Sequence, residues 1–242
     1  MDQKYVRTST KQRVIIFTVA FLMLAATVAT YVLVILNNSK KSTGSTESNL
    51  SAADEAKMNE LQDKWNAKND EISARATELS AQYYDTFKAY RSRVRSYNAT
   101  SANANGLKTE DLKVGNGKVL TDGDTDYLAY YIGFCADESV FDSSFNSSYE
   151  NATSLKAPLS AKIGLIEGWN AGVVGMKIGG VREITIPGEL AYGDSQEICG
   201  GTNSPLKFVV MAIEDKKTSQ LSAEQDEIYS EMISIYYSST GE

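Results

Sequence analysis

The stretch GLIEGWNAGVVGMKIGGVREITIPGELAYG, residues 164–193, contains the pattern that decides the fold class of this chain. Residues 169–174 have a short helix-like pattern, and glycines follow them. Residues 181–186 then alternate apolar and polar side chains and stop at Pro187, as a half-buried β-strand does. Helix and strand therefore occur close together here, which favours an α+β domain.

Two further strands are predicted on either side of this stretch. Residues 127–134 are rich in aromatic and β-branched side chains, and residues 206–213 form a second apolar run of strand length. With the frequent glycines, these segments predict an α+β domain over residues 107–217. Its length of about 110 residues is enough for one hydrophobic core.

The N-terminal part of the chain predicts a membrane anchor. Residues 14–36 contain no charged residue, and about 20 apolar residues span a bilayer. Residues 1–13 carry four basic residues against one acid, Asp2, which favours a cytoplasmic N-terminus. A cleaved signal peptide is the alternative. Because the apolar run continues to Leu36, past the small residues of a cleavage site, we expect a retained anchor.

A flexible tether and a long helix are predicted to follow. Residues 37–50 are rich in Asn, Ser, Thr, Gly and Lys, as flexible tethers are. Residues 51–98 begin with a helix-start pattern, and their apolar residues recur at helical spacing from Met58 to Tyr97. Such an apolar stripe must be buried. A coiled-coil homodimer, packing against another part of this chain and packing against a partner protein are all open.

Polar residues mark the next boundary, and a second helix is predicted at the C-terminus. Residues 99–106 are polar and are expected to be a linker. Residues 218–242 are expected to form a helix and tail, because Ser222 begins another helix-start pattern beside a stripe that includes Leu221 and Met232. This helix is a candidate partner for the long N-terminal one.

Composition excludes several classes of function. The chain has 242 residues, with 31 acidic against 24 basic, which argues against nucleic-acid binding. It has no histidine, so Ser-His-Asp and Cys-His catalysis and every histidine metal site are excluded. Two cysteines, Cys135 and Cys199, are too few for a four-cysteine zinc site. We therefore predict no metal and no cofactor. The cysteines could form a disulfide or stay free.

Six motifs in register over residues 107–216 resemble the FKBP family of peptidyl-prolyl cis/trans isomerases. Each is weak alone, but together they are specific. The resemblance implies a bent antiparallel sheet wrapped around the short helix near Trp169, with a pocket between them. The motifs are Tyr131-Ile-Gly133, Phe141-Asp-Ser-Ser144, Gly164-Leu-Ile-Glu-Gly-Trp169, Arg182-Glu-Ile-Thr-Ile-Pro187, Leu190-Ala-Tyr-Gly193 and Asn203-Ser-Pro-Leu-Lys-Phe208.

The resemblance also implies the role of each pocket residue. The pocket would have an indole floor, aromatic walls, a backbone N–H donor, a rim carboxylate and a rim hydroxyl. In that order these are Trp169; Tyr131, Phe141 and Phe208; Ile166; Asp142; and Tyr192. Leu159, Leu165 and Ile198 are expected to contact the substrate.

Two segments depart from the family pattern. Leu159 stands nearest to where the family usually has an aromatic wall residue. The segment 194–202 replaces the Ile-Pro pair of the family's overhanging loop, and either Ile198 or Cys199 could supply its apolar tip. Its glycines favour mobility. These departures bear on substrate preference more than on the fold.

Prolyl isomerisation suits a pocket of this composition. The barrier to rotation about a peptide bond, about 18–20 kcal/mol, comes from resonance that water stabilises. An apolar pocket removes that water and holds the twisted form without a proton donor or nucleophile. Aromatic side chains, one carboxylate and tyrosine hydroxyls therefore fit isomerisation of Xaa-Pro bonds.

We therefore expect a prolyl isomerase that assists the folding of exported, proline-containing polypeptides. It would be a single-pass protein of the cell membrane, N-terminus inside, with the isomerase domain outside the cytoplasm. A homodimer through residues 51–98 is a possible assembly. The alternatives are a binding or chaperone module with little turnover and an envelope protein in which the helix is the functional part.

Overall fold

The structure is a computed structural model that describes residues 50–146 and 149–240. The N-terminal segment 1–13, the predicted span 14–36 and all of the tether 37–50 except Leu50 lie outside the described residues. Within the described ranges, no helix is both long enough and apolar enough to cross a bilayer.

Four α-helices occur in the described ranges. Helix α1 is Ala52–Lys88, α2 is Ala99–Ala104, α3 is Glu167–Val173 and α4 is Lys216–Thr240. Helix α1 begins where Ser51 accepts a hydrogen bond from the backbone N–H of Asp54, as its sequence predicts. Short 3₁₀ segments lie at Ala89–Arg93, Ala161–Ile163, Gly188–Leu190 and Gly193–Ser195.

Six strands form one antiparallel sheet in the order β1-β5-β6-β2-β3, with the short β4 also paired to β2. This sheet and the helices confirm the α+β class. The predicted strands 181–186 and 206–213 coincide with β5 and β6, and 127–134 contains β2. The strands are Lys108–Lys113 (β1), Leu128–Phe134 (β2), Val140–Ser143 (β3), Leu159–Ser160 (β4), Val181–Ile186 (β5) and Leu206–Ile213 (β6).

The two faces of the sheet bury separate hydrophobic clusters. Successive side chains of a strand point to opposite faces. On β6, Phe208 and Val210 therefore pack with Trp169 of α3 on the inner face, whereas Val209 and Met211 lie in the cluster on the outer face. The candidate site lies at the inner cluster.

The C-terminal part of α1 covers the outer face. Phe87 is fully buried there, stacked on Phe145 with ring centroids 5.6 Å apart and 6.1 Å from Tyr130. The Arg91 guanidinium lies 4.0 Å from the Phe145 ring centre and donates to the carbonyl of Ala152. The predicted arm is therefore partly a structural element of the sheet domain.

The N-terminal part of α1 packs against α4. Met58, Leu61 and Leu79 are buried, as is Met232 of α4. The ion pairs Arg75–Asp215, Lys68–Glu224 and Lys57–Glu231 show that the helices run antiparallel. Packing within the chain therefore covers the apolar stripe, as one of the three alternatives expected. The homodimer stays a prediction.

Two expectations from the sequence are wrong in detail. The predicted linker 99–106 contains α2, which Asn98 caps and whose Ala102 is buried. Its Asn103 accepts a hydrogen bond from the backbone N–H of Gly188, so local capping and docking order this polar segment. Strand β5 is not half-buried, because ion pairs cover its polar side chains Arg182 and Glu183.

Candidate functional site

Trp169 forms the floor of an aromatic cluster on the inner face. It lies on α3 and is 2 % exposed. A Cβ atom at Gly168 would lie 2.2 Å from a side-chain carbon of Ile186, so this glycine allows α3 to pack directly on β5. The indole Nε1 donates to the Tyr127 hydroxyl at 3.0 Å, which fixes the plane of the ring.

Three aromatic residues of the sheet surround Trp169. Phe208 is buried with its ring centroid 5.2 Å from that of Trp169. The Tyr131 centroid lies 5.7 Å from Trp169, and the Phe141 centroid lies 5.6 Å from Phe208. Tyr131 and Phe141 are only partly buried, so the cluster has a covered base and an open rim.

Asp142 and two tyrosines form the polar part of the rim. The Tyr131 hydroxyl donates to one oxygen of Asp142, and the backbone N–H of Ser143 donates to the other at 2.7 Å. Burial and the neighbouring Asp142 charge raise the pKa of Tyr131. The same two causes raise the pKa of Tyr192. Both hydroxyls therefore keep their protons at neutral pH.

The segment before α3 supplies a backbone donor. Leu165 and Ile166 are partly buried against the inner cluster. The carbonyl of Ile166 accepts from the backbone N–H groups of Trp169 and Asn170, which starts the helix. Over the residues that the structure describes, no protein acceptor takes a hydrogen bond from the Ile166 N–H. This group is free to bind another molecule.

Leu159 and Ile198 also pack against the inner cluster, from β4 and from the loop 194–202. Cys199 forms a disulfide with Cys135 beside the end of β2, which resolves the alternatives for the two cysteines. The loop is further held by the backbone hydrogen bond from Asn203 to Gly193. Covalent and hydrogen bonds thus tether this loop, and its expected mobility stays a prediction. All ten predicted site residues lie around one cluster; their roles stay predictions.

Sequence reasoning missed three residues that shape the cluster. Tyr127 orients the floor indole, as described above. Gly133 leaves room for the walls, because a Cβ atom there would lie 2.6 Å from the Phe141 ring and 2.9 Å from that of Phe208. Arg182 donates to the carbonyls of Gly172 and Val174 at the end of α3. Gly133 and Arg182 belong to recognised motifs, but their contacts were not predicted. The Trp169–Tyr127 bond joins residues 42 positions apart and leaves no local pattern.

A cavity of about 220 Å³ lies beside the aromatic cluster. It shares Leu165 with the predicted site, and Gly164, Lys162 and Asn170 also line it together with the loop 121–125. The cavity and the aromatic cluster therefore lie on either side of the segment that carries the Ile166 N–H.

The fold and the cluster together define a class of protein. An antiparallel sheet packs one short helix on its inner face, and an aromatic pocket with few polar groups lies between them. Apolar sites with a few placed hydrogen-bonding groups are typical of binding sites for small ligands and peptide segments.

Comparison with known sequences finds a family match over part of the chain. Residues 113–213 match the family described as FKBP-type peptidyl-prolyl cis-trans isomerase. Proteins named FK506-binding protein 4 are also similar to part of this chain. The one from Neurospora crassa is 40% identical over 115 residues, 46% of this chain and 22% of the relative. The one from Dictyostelium discoideum is 41% identical over 93 residues, 37% of this chain and 22% of the relative. The chain thus spans about a fifth of these relatives.

Two solved structures also match. AtFKBP13 is 29% identical and aligns with 47% of this chain and 95% of its own, with a TM-score of 0.37. FkpA from Escherichia coli is 22% identical and aligns with 86% of this chain and 98% of its own, with a TM-score of 0.38. The assignment rests on the sequence matches. Residues 113–213 are therefore similar to the FKBP-type peptidyl-prolyl cis-trans isomerases.

The relatives correct the location predicted from the sequence. We expected a single-pass protein of the cell membrane with the domain outside the cytoplasm. That prediction is wrong, because the similar relatives are proteins named FK506-binding protein 4 from fungi and from Dictyostelium discoideum. The expectation that the clients are exported proteins depended on it and is withdrawn.

Proposed function

We propose that this protein catalyses cis/trans isomerisation of the peptide bond before proline in unfolded or extended polypeptides. The observation that carries the proposal is the cluster of Tyr131, Phe141, Trp169 and Phe208, with a buried base and an open rim, in a domain of this family. A proline ring is compact and apolar, so it suits an aromatic pocket of this kind.

Desolvation of the substrate bond is the main catalytic effect in this proposal. The planar peptide is stabilised by resonance that places partial charge on its oxygen and nitrogen, and water favours that polar form. Rings at the rim exclude water from the bound Xaa-Pro bond, which lowers the cost of twisting it. Because the pocket is complementary to the twisted bond, binding energy goes to the transition state.

A few hydrogen bonds hold the peptide while the bond rotates. The free N–H of Ile166 donates to a substrate carbonyl, and the hydroxyl of Tyr192 donates to a second one. Asp142 keeps the Tyr131 ring in place through the hydroxyl bond described above. Since both tyrosines keep their protons, no proton transfer is needed in the cycle.

A binding module with little turnover is the second candidate function. The loop 194–202 favours it, because it lacks the Ile-Pro pair of the family and is tied to β2 through Cys135–Cys199. A tethered loop next to the pocket would slow release of a bound segment. The same pocket would then hold proline-containing clients without isomerising them quickly.

A refolding assay with the full chain separates the two candidates. The slow phase of a test protein whose refolding is limited by proline isomerisation should accelerate in proportion to the added protein. Tyr131→Ala should abolish most of this effect, whereas Val114→Ala, at a position 68 % exposed, should keep it. A folded wild-type protein that leaves the slow phase unchanged would refute the enzyme and favour the binding module.

A further inference from the structure

Asn170 makes a contact that the proposed mechanism does not use. It lies on α3 directly after Trp169, and it is exposed at the cavity described above. Its amide Nδ2 donates to the backbone carbonyl of Leu165 at 3.1 Å. An exposed asparagine thus binds the segment that leads into the pocket.

The carbonyl that Asn170 binds belongs to the same peptide unit as the free N–H of Ile166. The atoms of a peptide unit lie in one plane, and in its trans form the C=O and the N–H point in opposite directions. Fixing the Leu165 carbonyl therefore fixes the direction of the Ile166 N–H, which points away from Asn170.

The rest of the segment does not hold this peptide unit. The main-chain bonds of the α3 start use the Ile166 carbonyl, which is part of the next peptide unit. Ile166 has extended backbone angles, φ −59° and ψ 149°, so the Leu165–Ile166 unit lies outside the hydrogen-bond pattern of α3. Across the described residues, Asn170 supplies the one recorded protein donor to the Leu165 carbonyl.

We propose that Asn170 is a positioning residue that aims the Ile166 N–H at the substrate carbonyl and strengthens it as a donor. Hydrogen bonds in series polarise one another, so a donor on the Leu165 carbonyl makes the N–H of the same unit more acidic. The inference deepens the proposed function and rests on it.

Asn170→Asp is the sharpest test, because it keeps the shape of the side chain and replaces the donating amide with an acceptor. The full chain with this change should lose about three- to tenfold in kcat/KM for an Xaa-Pro peptide, the factor that one hydrogen bond corresponds to. Asn170→Ala removes the donor without adding charge and should lose a similar factor.

Asn105→Asp is the matched control. Asn105 makes the same kind of bond, from its side-chain amide to the carbonyl of Ser101, at the end of α2. This control should lose no activity. The thermal midpoints of Asn170→Asp and Asn105→Asp should be alike, which separates positioning from loss of fold.

The amide signal of Ile166 in NMR spectra gives a readout that a merely structural role would not move. Titration of the wild type with a proline-containing peptide should shift this amide proton downfield, and Asn170→Asp should reduce the shift. If the wild type is active and Asn170→Asp matches it in kcat/KM and in this shift, the role of Asn170 is refuted. The proposed function then still stands. If the wild type neither isomerises nor binds the peptide, the proposed function and this inference both fail.

Discussion

At the scale of single residues, the site combines aromatic rings with a buried base and a small number of polar groups, of which the two tyrosines stay protonated at neutral pH. Tyr131 donates to Asp142, and burial raises the pKa of Tyr131 and of Tyr192. The chain has no histidine that could titrate near neutrality. Activity should therefore depend on shape and desolvation rather than on proton transfer.

The pH profile of the reaction checks this reading. A raised pKa keeps a tyrosine protonated over a wider range, because its proton is lost only as the pH rises above the ordinary value near 10. We expect kcat/KM for an Xaa-Pro peptide to stay constant within about twofold from pH 6 to 9. A bell-shaped profile in that range would show that a titrating group takes part.

Site residues that belong to motifs could be predicted from the sequence. Contacts that form only when helix and sheet pack together could not. Phe141, Trp169 and Ile166 lie in segments whose register with the family indicated their place. The Trp169–Tyr127 bond joins residues 42 positions apart. The contacts of Arg182 with the end of α3 span only 10 and 8 positions, but they depend on how the helix packs on the sheet. Such contacts arise only when the chain folds.

At the scale of elements, α1 serves two purposes that its sequence pattern does not separate. One apolar stripe runs along it, but the N-terminal part packs on α4 and the C-terminal part packs on the sheet. Strand β1 was not predicted because five of its six residues are exposed and polar or charged, so it lacks apolar alternation. Strands β5 and β6 were predictable because their apolar residues follow strand patterns.

Phe87 tests the role of α1 in the domain. Phe87→Ala should lower the free energy of unfolding of the full chain by about 3–5 kcal/mol, since it leaves a cavity between Phe145 and Tyr130. Tyr237→Ala, at a position 47 % exposed on α4, should change it by less than about 0.5 kcal/mol. Equal stability of the two variants in urea denaturation would mean that α1 does not support the sheet.

The disulfide tests the role of the loop 194–202. Replacing both cysteines with serine should lower the free energy of unfolding by about 2–4 kcal/mol, because 64 positions separate Cys135 and Cys199 along the chain. Freeing the loop that carries Ile198 should raise KM for an Xaa-Pro peptide more than it changes kcat. Wild-type protein treated with a dithiol reductant serves as the comparison and should behave like the variant. An unchanged KM would remove Ile198 from the substrate site.

At the scale of the whole molecule, ion pairs connect the antiparallel helix pair of α1 and α4 to the sheet domain. Arg75 of α1 holds Asp215, which directly precedes α4 and is 8 % exposed. Glu183 on β5 accepts from Arg93, which follows α1, and from Lys207 of β6. These bonds join segments far apart in the sequence. The helix pair and the sheet should therefore unfold together.

Asp215 gives this connection a pH dependence. The hydrogen bonds from Arg75, opposed in part by burial, lower the pKa of Asp215 to about 2. The folded pKa lies below the unfolded value, so the stabilisation is present above about pH 4 and is lost as the pH falls through about 2. Asp215→Asn should be less stable than the wild type at pH 7, and the difference should shrink between pH 4 and 2. A constant difference over that range in denaturation curves would contradict the pairing.

The central claim is that the aromatic cluster speeds rotation of an Xaa-Pro bond, and NMR exchange spectroscopy of a short Xaa-Pro peptide measures that rate directly. With catalytic amounts of the full chain, the cis/trans exchange rate should rise in proportion to protein concentration. Phe141→Ala should lower that increment at least tenfold while the protein stays folded, and Val114→Ala should leave it unchanged. An exchange rate equal to that of the free peptide, with folded wild-type protein present, would contradict the account.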